Sequence, residues 1–219
     1  MDRIGNQHVP YTIMPGPPYD GLAIGSTPNW SHGLPILYGY GNTGSGTVYS
    51  LIPPVTPGGS WTEKELYAFT GINGLGDEYG PSGAPAFGPH GTLYGTTLGG
   101  GTGAAESGTV FSLTPPATPG AAWTETVLYS FEPVGEPLAG VVVSSSGVVY
   151  GTTYDTQVGY GQGTVFALAP PATPGEPWTE HVIHAFIPPG GGNPITPLIL
   201  RGGVLYGTTQ DESLFSLVP

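Results

Sequence analysis

The side chains with the most chemistry to offer are acids and tyrosines gathered in a few loop-like segments. Asp20, Asp77, Glu78, Glu106, Glu132, Glu136, Asp155, Asp211 and Glu212 make nine of the fifteen acids, and none of the three basic residues (Arg3, Lys64, Arg201) falls among them. Tyr19, Tyr79, Tyr154 and Tyr160 share these segments. Three chemistries suit such a set. Phenol rings stack on the apolar faces of sugars while carboxylates accept their hydroxyl protons, which makes Tyr19, Asp20, Asp77, Glu78, Tyr79, Tyr154, Asp155, Tyr160 and Asp211 the candidate ligand-binding residues. Carboxylates beside backbone carbonyls can also hold Ca²⁺, which takes six to eight oxygens. No Asp-x-Asp-x-Asp spacing occurs, however, and solubilising surface acids are the simpler reading. Finally, a glycan hydrolase or lyase needs two acids, or an acid and a base, converging on one cleft. Asp77, Glu78, Asp155 and Asp211 are the candidates for that role.

Other chemistries are excluded or weakened. The chain has no cysteine, hence no disulfide and no thiolate ligand or nucleophile. Gly99-Gly100-Gly101-Thr102-Gly103 is glycine-rich, but no lysine follows it, so it is a poor phosphate cradle. The five histidines are scattered. His181 and His184 stand three apart in one strand-like run, which by a period of two puts them on opposite sides of a sheet. A net charge of −12 repels nucleic acid and anionic lipid. No apolar run approaches the ~20 residues of a membrane span. Met1-Asp2-Arg3-Ile4-Gly5 lacks the apolar stretch of a signal peptide. A cytoplasmic location and the earlier loss of a leader both stay open.

What positions these groups is a repeat. Tyr38, Tyr94, Tyr150 and Tyr206 lie 56 residues apart, each inside a Leu/Val-Tyr-Gly motif. A period of this size marks one supersecondary unit copied into a solenoid or a propeller. Glycine and proline make about 30% of the chain, a level that alone suggests disorder. The 24 aromatic residues and recurrent β-branched runs argue instead for short strands joined by turns. The third copy reads as four strands, namely Ala139–Ser144, Val148–Thr153, Gly163–Leu168 and Trp178–Phe186. Four short antiparallel strands per copy is the pattern of a propeller blade. The last copy stops after its third strand, while an orphan run, His8–Ile13, precedes the first. Its Tyr11 and Ile13 fall 56 residues before Tyr67 and Phe69. The expected fold is therefore all-β, a single four-bladed β-propeller closed into a ring by the N-terminal strand. Its blades span about 21–69, 84–131, 139–186 and 196–218, the last completed by 8–13. Closure within one chain, a strand-swapped dimer and a two-chain ring of eight blades all satisfy that pattern.

The units Leu93-Tyr94-Gly95-Thr96-Thr97, Gly108–Leu113, Thr114–Gly120 and Trp123-Thr124-Glu125 together resemble the bacterial tandem repeats called GloVer repeats. The resemblance is strongest from about Leu37 to Phe186. It implies a repeat β-fold and an extracellular or cell-surface setting, since such repeats occur in large surface or secreted proteins, often with a C-terminal anchor. It brings no catalytic residues. This chain departs from the long members in having four copies and no anchor.

Alternating strand direction sorts the connections. Turns between first and second strands, and the Pro-Pro-x-Thr-Pro-Gly connections between third and fourth, share one end and are nearly uniform apart from the enlarged Ser26–Gly33 segment. Second-to-third-strand loops and the links between copies share the other end and vary widely. Variation on a constant scaffold is where binding groups reside. Trp61, Trp123 and Trp178 recur at one place in the fourth strand and are read as structural covers, whereas Trp30 is unique. The leading expectation is a non-catalytic module binding a glycan or other surface polymer through the acidic, tyrosine-bearing end. An enzyme using the same carboxylates and a purely structural repeat are the alternatives.

Overall fold

The computed structural model describes residues 18–25, 34–56, 58–71, 80–102, 107–118, 120–132, 135–154, 162–187 and 192–219. Among them lie four antiparallel sheets and no α-helix, so no described helix is long and apolar enough to cross a membrane. Sheet 1 holds β1 (Pro18–Gly25), β2 (Ile36–Gly41), β3 (Thr47–Ile52) and β4 (Thr62–Ala68). Sheet 2 holds β5 (Pro81–Phe87), β6 (Leu93–Thr97), β7 (Thr109–Thr114) and β8 (Thr124–Ser130). Sheet 3 holds β9 (Val142–Val143), β10 (Val149–Thr153), β11 (Thr164–Ala169) and β12 (Thr179–Ala185). Sheet 4 has three strands, β13 (Ile199–Arg201), β14 (Val204–Thr208) and β15 (Leu214–Leu217). Each sheet is a meander in chain order and corresponds to one sequence repeat. The run 8–13, expected to close a ring, lies outside the described residues.

The register explains the repeated glycine. Gly39, Gly95, Gly151 and Gly207 on the second strands stand directly opposite Tyr49, Phe111, Phe166 and Phe215 on the third strands. The aromatic ring lies across its glycine: a Cβ would come 2.6 Å from Phe111 Cζ at Gly95 and 2.5 Å from Phe166 Cζ at Gly151. Any side chain there would lift the ring off the sheet. Alternation then gives each sheet two apolar faces. In sheet 2, Leu93, Phe111 and Leu113 face sheet 1, while Tyr94 and Val110 face sheet 3.

The rings join one sheet to the next. Phe69, Phe131 and Phe186, each just past a fourth strand, pack edge-on against Phe111, Phe166 and Phe215 of the following sheet at 5.1, 5.3 and 5.2 Å. Within their own sheets the same phenylalanines contact Tyr67, Tyr129 and His184. Such edge-to-face pairs add about 0.5–1.5 kcal/mol each beyond the area they bury. Trp123 packs with the cluster between sheets 1 and 2, and Trp178 meets Tyr94 at 6.3 Å, in keeping with a covering role.

A β-bulge recurs in the pairing of third and fourth strands of the first three sheets. The extra residue is Leu66, Leu128 or Ile183, and each packs into the adjoining inter-sheet cluster. The bulge also corrects the reading of the histidines. His181 pairs with Ala167 and His184 with Val165, two positions on the same side of β11, so both histidines share one side of sheet 3.

First strands of successive sheets run side by side, β1 by β5, β5 by β9 and β9 by β13. They approach closely where residues are small: a Cβ on Gly83, whose φ is +69°, would fall on the backbone of Gly140. Gly21, Gly83, Ala84, Leu138, Ala139, Ile195 and Pro197, drawn from all four repeats, line a common cavity of about 440 Å³.

Replacing Gly151 with alanine is expected to lower stability by about 1–3 kcal/mol through overpacking against Phe166. Gly175→Ala, with open space around the added carbon, should cost less, chiefly through its positive φ. Urea unfolding of the two variants reads the difference.

Candidate functional site

The two families of connections meet different ends of the sheets, and hydrogen bonds at the variable end keep the period of the sequence. Just past the second strands of sheets 2, 3 and 4, Leu98, Tyr154 and Gln210 donate their N–H groups to the carbonyls of Gly80, Glu136 and Gly192 at 3.3, 3.0 and 3.2 Å. Donors and acceptors alike are 56 positions apart. Links between repeats and second-to-third-strand loops are thus braced together. The Glu136 N–H also donates to Ser107 O, tying the loop of sheet 2 to the link entering sheet 3. At the opposite end, uniform turns close locally, as Gly59, Ala121 and Glu176 donate to Thr56, Thr118 and Thr173.

Three of the four described non-glycine residues with positive φ lie at the braced end, the fourth being His90 in the turn between β5 and β6. Glu136, Asn193 and Glu212 adopt φ of 43, 54 and 64°, a region uncommon for residues with side chains. Tertiary bonds hold Glu136 and Asn193 there, and a local turn bond holds Glu212. Asn193 N–H donates to Gln162 O at 2.6 Å, and Glu212 N–H donates to Thr209 O. Sidechain chemistry gathers around the same link. Gly192 N–H donates to Asp211 Oδ1 at 3.0 Å while Gly192 O accepts from Gln210 N–H, a reciprocal clamp between neighbouring segments. The Gly192 N–H, then the residue's own N–H, hold the Asp211 carboxyl below its usual range. One repeat back, the Tyr154 hydroxyl donates to Gln210 Oε1 at 3.4 Å. Tyr154 and Gln210 are equivalent positions of successive repeats, so this contact bridges sheets 3 and 4.

Of the residues singled out from sequence, Tyr154 and Asp211 are therefore brought to one end, joined through Gln210 and Gly192. Tyr19 and Asp20 lie in β1, where Tyr19 pairs with Tyr40. Asp77, Glu78, Tyr79, Asp155 and Tyr160 lie outside the described residues, as does Glu106. Gln210 was not anticipated. Its signal was its place one period after Tyr154. Among the described residues no three His, Asp or Glu side chains cluster to hold a metal ion.

A second group of acids stands elsewhere. Glu63, Glu125 and Glu180 occupy one register position, opposite Leu51, Leu113 and Leu168. Burial pushes Glu125 up to about 7 and raises Glu180 as well. Glu125 in turn raises the Tyr67 phenol, itself mainly shifted by burial. A carboxyl near 7 has the affinity of a general acid, but Glu125 sits in an outer strand away from the braced loops. The Trp-Thr-Glu repeat was its only sequence mark. The small cavity beside Trp123, about 70 Å³ and lined by Tyr38, Ser50 and Lys64 among others, has room for little more than water.

The Glu125 shift has a consequence for stability. Between its ordinary 4.5 and about 7 the folded chain holds this proton more tightly than the unfolded one. Stability contributed by the neutral form is thus complete at low pH and is lost as pH rises through that window. Glu125→Gln should flatten the fall in Tm from pH 4.5 to 7.5 and raise Tm above pH 7, as read by calorimetry across that range.

Residues 35–216 match the family model of the Gloeobacter/Verrucomicrobia repeat. No curated protein matches the chain. The matched span runs from just before β2 into β15 and takes in each of the aromatic–glycine pairs described above. The chain belongs to the Gloeobacter/Verrucomicrobia family of tandem repeats.

Proposed function

We propose that this chain is a non-catalytic binding module that recognises a glycan or a related surface polymer through the braced, variable end of its sheets. The observation that carries the reading is the Tyr154–Gln210–Asp211 constellation, a phenol, a carboxamide and an ionised carboxylate supplied by successive repeats at one exposed end. A ring offers a stacking surface, the amide both donates and accepts, and a carboxylate held ionised accepts hydroxyl protons. This is the equipment of sugar recognition rather than of acid–base catalysis, which calls for a carboxyl poised near the working pH. Tyr19, Asp20, Asp77, Glu78, Tyr79, Asp155 and Tyr160 extend the same surface in this reading.

The architecture proposed with it is a propeller whose blades are the four sheets. Two features support that reading, the common cavity lined from all four repeats and the outer position beside β15, which no described strand occupies. The run 8–13 would fill that position, placing Ile13 where Phe69 stands in sheet 1.

A glycan array followed by calorimetric titration tests the binding role. Tyr154→Ala and Asp211→Ala are expected to weaken a captured glycan about tenfold or more each, with Tyr79→Ala behaving alike. A titration with a chelator reads any Ca²⁺ contribution. Capture that none of the three substitutions alters would overturn the choice of this end.

A further inference from the structure

The front of sheet 4, the side that sheets 1 to 3 lay against the next repeat, is bare. Leu214 is 76% exposed there, whereas Val48, Val110 and Val165, its register equivalents in the first three sheets, are 0% exposed. Beside it Val218 is 78% and Ile199 64% exposed, although their counterparts Ile52 and Val142 pack into inter-sheet clusters. Tyr206, equivalent to the buried Tyr38 and Tyr94, completes the row at 39%. The back of sheet 1 is no complement for it in a head-to-tail contact, because Thr47, Tyr49 and Leu51 on that side are already buried within one chain.

We infer that two copies of this chain pair through the fronts of their fourth sheets, face to face, about a two-fold axis that crosses the strands at Tyr206. The register makes the row complementary to itself. Tyr206 pairs with Ile199 on one side and Ser216 on the other, at mid-sheet. Leu214 lies two residues before Ser216 and Val218 two after it, so a half-turn at that point sets Leu214 of one copy over Val218 of the other. Such an isologous contact uses one patch twice and closes at two copies. Charge selects the antiparallel orientation. Arg201, on the same side as Ile199, ends the row toward the β13–β14 turn, while Asp211 and Glu212 stand at the far end between β14 and β15. Antiparallel stacking brings Arg201 of each copy toward the acids of the other, whereas parallel stacking would set like charges together. The four exposed side chains present on the order of 400 Å² of apolar surface, the size at which a patch marks a contact. Doubled, and with the charged ends added, this reaches the low end of specific interfaces, about 1,000 Å² in all. The contact uses the face of sheet 4, leaves the edge of β15 to the run 8–13, and is independent of any ligand at the loops.

Sedimentation equilibrium of the full chain over a range of concentrations tests it. The expected mass at the upper end is twice the 22.4 kDa of one chain, and that of a single copy throughout for Leu214→Glu with an unchanged circular dichroism spectrum. Val218→Glu, outside any strand, should do the same. Arg201→Glu is expected to weaken the pair about tenfold, and the further change Glu212→Arg to restore it. Because the chain lacks cysteine, a lone Tyr206→Cys at the axis should link into a two-copy product with a short bis-maleimide. A lone Val182→Cys, at a position 54% exposed on sheet 3, should not. A single-copy mass for the parent chain at every concentration would overturn the inference. So would open-ended polymers, a pair that survives Leu214→Glu, or a charge exchange that restores nothing.

Discussion

A phenylalanine ring held between a glycine and a second phenylalanine is the contact on which this structure depends. Phe111, Phe166 and Phe215 each lie across a glycine of their own sheet and meet the phenylalanine that ends the preceding one. One ring therefore does two things. It flattens the local sheet against a residue with no side chain, and it fixes how the next sheet is laid on the last. With only 8% charged residues and no cysteine, the chain has few other means of specifying that step. Repetition of the ring then repeats the step, and sheet order follows chain order.

The loops inherit their freedom from this arrangement. Because the clamp is made by a mid-strand ring and the single phenylalanine just past each fourth strand, the loops beyond are free to differ from copy to copy. One end remains uniform, closed by short turns with local hydrogen bonds. At the other, links and loops brace one another across a period of 56, and there the strained Glu136, Asn193 and Glu212 collect. Strain held in place by hydrogen bonds at a variable end is a common companion of binding sites. The same clamp accounts for the exposed row of Ile199, Leu214 and Val218 on sheet 4, since the side that the earlier sheets lay against a following repeat has no described repeat to follow it there.

The repeat, the strands and the missing fourth strand of the last copy were legible in the sequence, because Tyr-Gly and Val-Phe-x-Leu motifs mark them without help from tertiary context. The sorting of loops to two ends was legible for the same reason. The bulges at Leu66, Leu128 and Ile183 were not, since counting by twos assumes an unbroken ladder, and His181 and His184 were misassigned in consequence. Two adjacent apolar residues, Leu66-Tyr67 and Leu128-Tyr129, were the available hint. Glu125 was also missed, for its shift comes from burial, which only the folded chain supplies. At the braced end, Tyr154 and Asp211 were foreseen as residues but not as partners, because Gln210 and the Gly192 backbone that join them become neighbours only through folding.

The most direct test of the aromatic clamp is a double-mutant cycle between Phe131 and Phe166, whose rings stand 5.3 Å apart across the junction of sheets 2 and 3. Urea unfolding of Phe131→Ala, Phe166→Ala and the double variant would give the coupling energy. The account requires a favourable coupling of about 0.5–1.5 kcal/mol. Strict additivity, with the two losses summing to within about 0.3 kcal/mol, would mean that the sheets are joined by something else.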